Sequence, residues 1–163
     1  YVLFVGTRDP RKNLETLRAA VAQVRETQPD LQLVVAGADG PEEQGVRWLG
    51  YVDDEKLAEL YRGAAVFAYP SRFEGFGLPV VEAMACGTPT VVSAHESLDE
   101  AAGDAALRAD PADPLAFART LEHAMREPGA LVTRGIEHAS RFSEWSCGAA
   151  VLAGYEAALA RQP

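Results

Sequence analysis

Two glutamates on either side of a glycine-containing loop could bind a ligand that carries hydroxyl groups. Glu74 lies in the loop formed by residues 70–77, and Glu82 falls one turn into the helix predicted over residues 78–86. A carboxylate accepts hydrogen bonds at two fixed oxygens, which matches a pair of hydroxyl groups on a polyol. Alternatively, both side chains are simply solvated acids, Glu74 on a loop and Glu82 on a helix surface.

The same loop leads into a helix N-terminus whose backbone amides could meet an anion. Gly75 and Gly77 permit positive φ and a close approach of the backbone to a ligand. The amides of Phe76, Gly77 and Leu78 then open the helix, where the positive end of the helix dipole lies. The loop therefore offers a carboxylate to hydroxyl groups and amides to an anion.

A second loop, residues 6–12, carries two cations, Arg11 and Lys12, next to another predicted helix N-terminus. Cationic side chains at such a position favour a polyanion, for example a diphosphate. The alternative is a solvated basic turn without a ligand. The loop lacks the glycines and the Gly-Lys-Ser/Thr ending of a Walker loop, and it is not the G-x-G-x-x-G dinucleotide fingerprint.

Short apolar strands alternate with helices along the chain, and this order determines where the two loops lie. The strands are predicted at residues 1–5, 31–36, 46–50, 65–69, 90–93 and 105–108. Helices are predicted over residues 13–27, with Asn13 as the N-cap, from residue 53, and over 78–86, 97–102, 113–126, 130–141 and 143–160. The pattern predicts an α/β fold, a Rossmann-like three-layer sandwich with a mostly parallel sheet. Ligands of such sheets bind beyond the C-terminal ends of the strands, where both loops are expected.

Composition limits the classes of function. The 163 residues predict one domain, of which 48 % are hydrophobic and can form a core. A net charge of −9 argues against a nucleic-acid partner, because a phosphate backbone requires a basic face. No apolar run approaches the ~20 residues of a membrane span, and the histidines lack metal-ligand spacing. Cys86 and Cys147 are expected to be buried, reduced thiols, which fits a reducing compartment.

Longer motifs around these residues resemble the retaining GT-B glycosyltransferases of family 4, the glycosyl transferases group 1. The segment PSRFEGFGLPVVEAMACGTPTV, residues 70–91, is similar to the family's motif with two glutamates. Residues 5–14 resemble the first strand and loop of the family, residues 48–61 its nucleotide-side segment, and residues 142–155 its closing helix. The resemblance covers nearly the whole chain.

The resemblance implies that residues 1–163 are the C-terminal, donor-binding half of a GT-B fold, with a nucleoside-diphosphate sugar as ligand. Glu82 would hold the ribose hydroxyls, and Glu74 would contact the transferred hexose without acting as a nucleophile. Arg11 and Lys12 would neutralise the diphosphate as it leaves. The remaining donor-binding positions implied by the family motifs are Gly6, Thr7, Val52 (whose backbone would face the base), Gly75, Phe76, Gly77 and Leu78.

One departure from the family pattern bears on the donor. Many members carry Gly-Arg where this chain has Gly6-Thr7, so Arg8 or Arg11 must supply the second cation. Arg11 is favoured because it neighbours Lys12. The threonine form is similar to a mannosyltransferase-like subgroup, which favours GDP-mannose, with a UDP-sugar as the alternative. The chain has no Asp-x-Asp motif, so neither a metal nor another cofactor is expected.

The N-terminal acceptor domain of the family is expected to be absent from this chain, which begins inside a strand pattern at Tyr1. The isolated domain is therefore expected to bind nucleotide without transferring sugar. The full-length protein is expected in the cytoplasm, with membrane association at the inner face through the missing domain. A nucleotide-sugar epimerase and a non-catalytic nucleotide-binding module are the alternatives. An NAD-dependent dehydrogenase is disfavoured because the glycine fingerprint is missing.

Overall fold

Six parallel strands form one sheet in the computed structural model, which describes residues 1–160. Each strand is short and mostly apolar, as is typical of strands covered on both faces. They are β1 (Val2–Val5), β2 (Leu33–Ala36), β3 (Val46–Trp48), β4 (Val66–Tyr69), β5 (Thr90–Ser93) and β6 (Leu107–Ala109). Their order in the sheet is β3-β2-β1-β4-β5-β6, and every neighbouring pair is parallel. The predicted parallel α/β architecture is confirmed.

Within residues 1–160, seven α-helices connect and follow the strands, close to the predicted positions. They are α1 (Leu14–Arg25), α2 (Asp54–Gly63), α3 (Leu78–Ala85), α4 (Asp99–Ala102), α5 (Pro114–Arg126), α6 (Pro128–Ala139) and α7 (Glu144–Leu159). Single 3-10 turns lie at Pro10–Lys12 and Glu96–Leu98. Element ends differ from the predictions by one to three residues in most cases, the usual uncertainty of helix and strand ends. The largest shifts at a strand start are those of β2, which begins at Leu33 and not at residue 31, and of β6, which begins at Leu107 and not at residue 105.

The sheet separates two hydrophobic cores. Alternate side chains of one strand point to opposite faces, so Val2 and Phe4 enter one core while Leu3 enters the other. The first core is closed by α1 and α5, and the second by α3, α4 and the side chain of Tyr61 from α2. The predicted three-layer sandwich is thus confirmed. Because the strands are fixed between two cores, the loops at their ends have rigid supports.

The last helix, α7, differs from the others because none of its residues is buried. It presents large apolar side chains to solvent, including Trp145 at 86 % exposure and Tyr155 at 68 %. Cys147 lies on this helix and is exposed, and Cys86 is only half-buried, so the prediction of two buried thiols was wrong. The sequence pattern predicted helix α7, but it did not indicate that no other element of residues 1–160 would cover the helix. Within residues 1–160, no helix combines the length and apolar character that crossing a membrane requires.

Candidate functional site

The two loops singled out in the sequence leave neighbouring strands and meet at one edge of the sheet. Strands β1 and β4 pair directly, and the chain continues from them toward opposite ends of the sheet. Such a switch point leaves a crevice at the C-terminal ends of the strands. The backbone amide of Arg72 donates to the carbonyl of Arg11 at 2.9 Å, and the Ser71 hydroxyl reaches the same oxygen at 3.2 Å. The predicted proximity of the loops is therefore observed.

The crevice contains a buried ion pair between Lys12 and Glu74. The ammonium of Lys12 donates to Glu74 Oε1 at 2.8 Å and to the Tyr69 hydroxyl at 2.5 Å. Ser71 donates a further short hydrogen bond to Glu74 Oε1. Glu74 is only 8 % exposed and Lys12 only 14 %. An ammonium has three donors, and two of those of Lys12 are engaged by these side chains, which leaves one for a ligand.

The surroundings of Glu74 hold its carboxylate in the charged form. Burial alone would raise its pKa, but the hydrogen bonds from Lys12 and Ser71 and the charge of Lys12 outweigh that cost, so the pKa of Glu74 lies below its ordinary value. The pKa of Tyr69 is raised, chiefly by burial and then by the neighbouring Glu74 charge. At neutral pH the crevice therefore contains an anionic Glu74 and a protonated Tyr69.

This depressed pKa predicts an acid-sensitive contribution to stability. The unfolded chain binds a proton at Glu74 more readily than the folded chain, so the contribution is complete above the ordinary carboxyl pKa and is lost as pH falls through the folded-state pKa. We expect the unfolding free energy of the Glu74→Gln variant to fall less steeply below pH ~4 than that of the wild type. Denaturant titrations across pH 2–7 measure both slopes, with exposed Glu96→Gln as the control. Equal slopes for wild type and Glu74→Gln would contradict the prediction.

Of the two arginines that could act beside Lys12, Arg11 is the one directed toward Glu74. Its Nη1 atom lies 3.9 Å from Glu74 Oε2 and donates to the Phe73 carbonyl at 3.3 Å, while the side chain remains 43 % exposed. Arg8 instead lies over the ring of Trp48, 5.7 Å from the ring centroid. Arg11, and not Arg8, therefore lies beside the Lys12–Glu74 pair, and its role toward a ligand stays a prediction.

Of the two loop glycines that could take a positive φ, only Gly77 does so. Gly77 has φ +101° and ends the loop immediately before α3, which begins at Leu78. Phe76 packs edge-on against Phe142, with 5.4 Å between ring centroids, and Leu78 is largely exposed. Gly75 has open space around it. The amides of Phe76, Gly77 and Leu78 therefore follow Glu74 closely in the chain and lead into α3 at the same edge of the sheet.

Glu82 and Val52 lie apart from the group formed by Arg11, Lys12 and Glu74. Glu82 is an exposed side chain on α3, and its Oε2 atom accepts a hydrogen bond from the Tyr61 hydroxyl at 2.9 Å. Val52 is half-buried in the segment between β3 and α2. Gly6 follows β1 with its amide bonded to the carbonyl of Ala36 at 2.9 Å, and Thr7 is exposed beside it. The structure unites Arg11, Lys12 and Glu74 by direct contacts, whereas Glu82 bonds to Tyr61 and not to this group.

Asn13 has a different role from the predicted helix cap. It adopts φ +57° and makes no side-chain cap to α1. Its Nδ2 atom instead donates to the carbonyls of Pro70 and Pro111 at 3.1 and 2.8 Å, and its Oδ1 atom accepts from Thr16. The residue type indicated a polar role at the start of α1, but its true partners lie 57 and 98 positions away. Asn13 thus joins the start of α1 to the loop that carries Glu74.

A second support for Glu74 was also missed in the sequence. The backbone amide of Glu74 donates to Ser97 Oγ at 3.0 Å, and Ser97 Oγ lies 2.9 Å from His95 Nδ1. His95 Nδ1 also accepts from the Ser97 amide at 3.1 Å, so this nitrogen acts as an acceptor. No local pattern indicates these contacts, because Ser97 follows β5 and lies 23 positions from Glu74.

The sheet order and the crevice define a Rossmann-type α/β domain with a ligand edge between β1 and β4. Residues 1–144 match the model of the family described as glycosyl transferases group 1, and the chain belongs to this family. It is therefore a glycosyltransferase domain. The resemblance identified from the sequence motifs is confirmed.

Three relatives illustrate the match. The chain is 38 % identical to O-antigen chain mannosyltransferase B of Escherichia coli, across 96 % of this chain and 45 % of that protein. It is 33 % identical to the D-inositol 3-phosphate glycosyltransferase of Segniliparus rotundus, across 97 % and 40 % of the two proteins. The solved sucrose-phosphate synthase from Thermosynechococcus elongatus superposes with a TM-score of 0.78 at 31 % identity, across 99 % of this chain and 46 % of that one. The solved neighbours are GT-B glycosyltransferases, and this chain spans less than half the length of each of these relatives.

Proposed function

We propose that this chain is the C-terminal, donor-binding domain of a retaining glycosyltransferase that transfers a hexose from a nucleoside-diphosphate sugar. The buried Lys12–Glu74 pair at the switch point of the sheet is the observation that carries the proposal. It sets a cation and a hydroxyl-binding carboxylate side by side, near the amides of Phe76, Gly77 and Leu78 that lead into α3. A sugar joined to a diphosphate requires both kinds of partner at adjacent positions.

The cations would act on the diphosphate. Lys12 retains a donor for a phosphate oxygen, and the exposed guanidinium of Arg11 can add a second charge. Fixed positive charge in a partly dehydrated crevice stabilises the charge that develops on a departing diphosphate. We propose that these two side chains and the amides of Phe76, Gly77 and Leu78 perform this task without a metal ion. Gly6 and Thr7, at the end of β1, would line the same part of the donor.

The acidic side chains would bind the two sugar rings. Glu74 would accept hydrogen bonds from the hexose, in a positioning role, while Gly75 and the amides of Phe76, Gly77 and Leu78 approach the diphosphate or the hexose. Glu82, on the next turn of α3, would hold the two ribose hydroxyls. The backbone near Val52 would face the base.

For the donor we propose GDP-mannose, with a UDP-sugar as the alternative. Two observations favour mannose. Thr7 stands where many family members carry arginine, and the relative from Escherichia coli is named a mannosyltransferase.

A second domain would complete the enzyme. The chain spans less than half the length of its relatives, and α7 presents an apolar surface that nothing in residues 1–160 covers. We propose that an N-terminal acceptor domain belongs to the full-length protein, and that the isolated chain binds nucleotide without transferring sugar. Half of a cleft provides fewer contacts, so we expect dissociation constants on the order of 0.1–1 mM.

Glu82→Ala is expected to weaken binding of the preferred nucleotide about tenfold, because two hydrogen bonds to a charged acceptor are lost. Calorimetric titration of this chain with GDP, UDP and ADP measures the base preference of the wild type and the loss in the variant. Glu100→Ala, which replaces an exposed acid on α4, is the matched control and should bind like wild type. A wild type that binds none of the three nucleotides would overturn the donor site. Equal affinities of wild type and Glu82→Ala would overturn the role of Glu82.

A further inference from the structure

The hydroxyl of Tyr61 donates a hydrogen bond to the carboxylate that is proposed to bind ribose. Tyr61 belongs to α2, and its oxygen lies 2.9 Å from Oε2 of Glu82 on α3, 21 positions later in the chain. The side chain of Tyr61 is 2 % exposed, whereas that of Glu82 is open to solvent. A buried donor thus holds one oxygen of an exposed acceptor.

The position of this hydroxyl is fixed by the second core. The Tyr61 ring packs edge-on against Phe67 of β4, with 5.5 Å between centroids and an interplanar angle of 73°. The backbone carbonyl of Tyr61 accepts a hydrogen bond from Thr88 Oγ1 at 2.7 Å. Burial, and next the charge of Glu82, raise the pKa of Tyr61, so its hydroxyl stays protonated at neutral pH. Glu82 therefore faces a permanent and immobile donor.

An exposed glutamate without such a donor would lose side-chain freedom when it binds a ligand. That loss opposes binding, and a side chain held in its bound orientation avoids it. A carboxylate has about four acceptor sites, and Tyr61 occupies one of those of Glu82. The remaining sites are enough for two hydroxyl groups, with the carboxylate already oriented.

We propose that Tyr61 is a positioning residue that orients Glu82 toward the ribose hydroxyls and thereby sets the preference of this domain for ribonucleotides. The proposal rests on the donor site described under the proposed function. It adds a residue that does not contact the nucleotide. Its effect is expected on recognition of the hydroxyl pair and not on the base or the diphosphate.

The test compares GDP with 2′,3′-dideoxy-GDP, which lacks both hydroxyls, by NMR titration of amide shifts in this chain. We expect the wild type to prefer GDP by about tenfold, and Tyr61→Phe to reduce that preference by about threefold or more, with the affinity for dideoxy-GDP unchanged. When Glu82→Ala is already present, adding Tyr61→Phe should not change the preference for GDP over dideoxy-GDP, because Tyr61 acts through Glu82. Tyr1→Phe is the matched control, since it removes a hydroxyl that donates to the Leu60 carbonyl next to Tyr61.

The outcomes separate this proposal from the one on which it rests. Equal weakening of GDP and dideoxy-GDP by Tyr61→Phe would assign Tyr61 a structural role only and overturn the proposal. An undiminished preference for GDP in Tyr61→Phe would overturn it as well. If the wild type bound both nucleotides equally, the proposed contact of Glu82 with the ribose would be refuted, and the positioning role of Tyr61 with it. A wild type that binds neither would overturn the donor site itself.

Discussion

The Lys12→Met variant is expected to bind GDP at least tenfold more weakly and to lose about 2–3 kcal/mol of unfolding free energy. Both effects follow from the position of Lys12 between Tyr69 and the buried carboxylate of Glu74. The substitution removes the cation proposed for the diphosphate. It also leaves a buried negative charge with Ser71 and the more distant Arg11 as its partners. Titration with GDP and denaturant unfolding at pH 7 measure the two losses separately.

A second substitution distinguishes the structural role of Lys12 from its role in binding. Adding Glu74→Gln to Lys12→Met removes the uncompensated charge, so most of the lost stability should return. The affinity for GDP should not return, because the cation is still absent. Lys56→Met removes an exposed lysine paired with Glu59 and should change neither property appreciably. Recovery of GDP binding in the double variant would refute the assignment of Lys12 to the diphosphate.

Gly77→Ala should destabilise the domain by about 2–5 kcal/mol. Gly77 has φ +101°, a conformation that costs an alanine about 1–2 kcal/mol. A Cβ atom there would lie 2.8 Å from Cδ2 of Leu98, so the buried core would have to shift, at a cost of about 1–3 kcal/mol. For a chain of this size the two costs together lower the melting temperature by roughly 4–20 °C. Thermal unfolding followed by circular dichroism gives this shift.

Gly75 provides the matched control within the same loop. A Cβ atom at Gly75 would meet nothing within 4 Å, and its φ is not positive. The unfolding free energy of Gly75→Ala should therefore lie within about 0.5 kcal/mol of that of the wild type. Its melting temperature should equal or slightly exceed that of the wild type, because alanine restricts the unfolded chain more than glycine does. If Gly77→Ala melted at the same temperature as Gly75→Ala, neither backbone strain nor the contact with Leu98 would restrict the residue type at position 77.

The order of the elements could be predicted from the sequence because each strand is a short apolar run bounded by turn residues. Such runs are restricted to strands that are covered on both faces, and the helices between them require parallel connections. The two loops were identified for a similar local reason, since Arg11, Lys12 and Glu74 are charged residues at the ends of apolar strands. Their residue types and positions were sufficient to place them at one edge.

The contacts that fix the site were not predictable, because their partners are distant in sequence. Asn13 was expected to cap its own helix, as its residue type favours, yet it bonds to carbonyls in two other loops. Tyr61 was part of a family-like segment, but only the packing of α2 against α3 shows that it reaches Glu82. Ser97 carries no local signal at all. Residue type indicates that a polar side chain needs a partner, whereas the tertiary fold selects which one.

The direct pairing of β1 with β4 has a consequence for the order in which the protein acquires its function. Lys12 and Glu74 are 62 positions apart, so a nascent chain on the ribosome has completed β1, β2 and β3 well before Glu74 is synthesised. Such an intermediate contains half of the sheet but no crevice. The nucleotide proposed to bind here would therefore recognise only chains in which the central strands have joined. By mass action it would stabilise the whole domain against global unfolding, and not one loop against local opening.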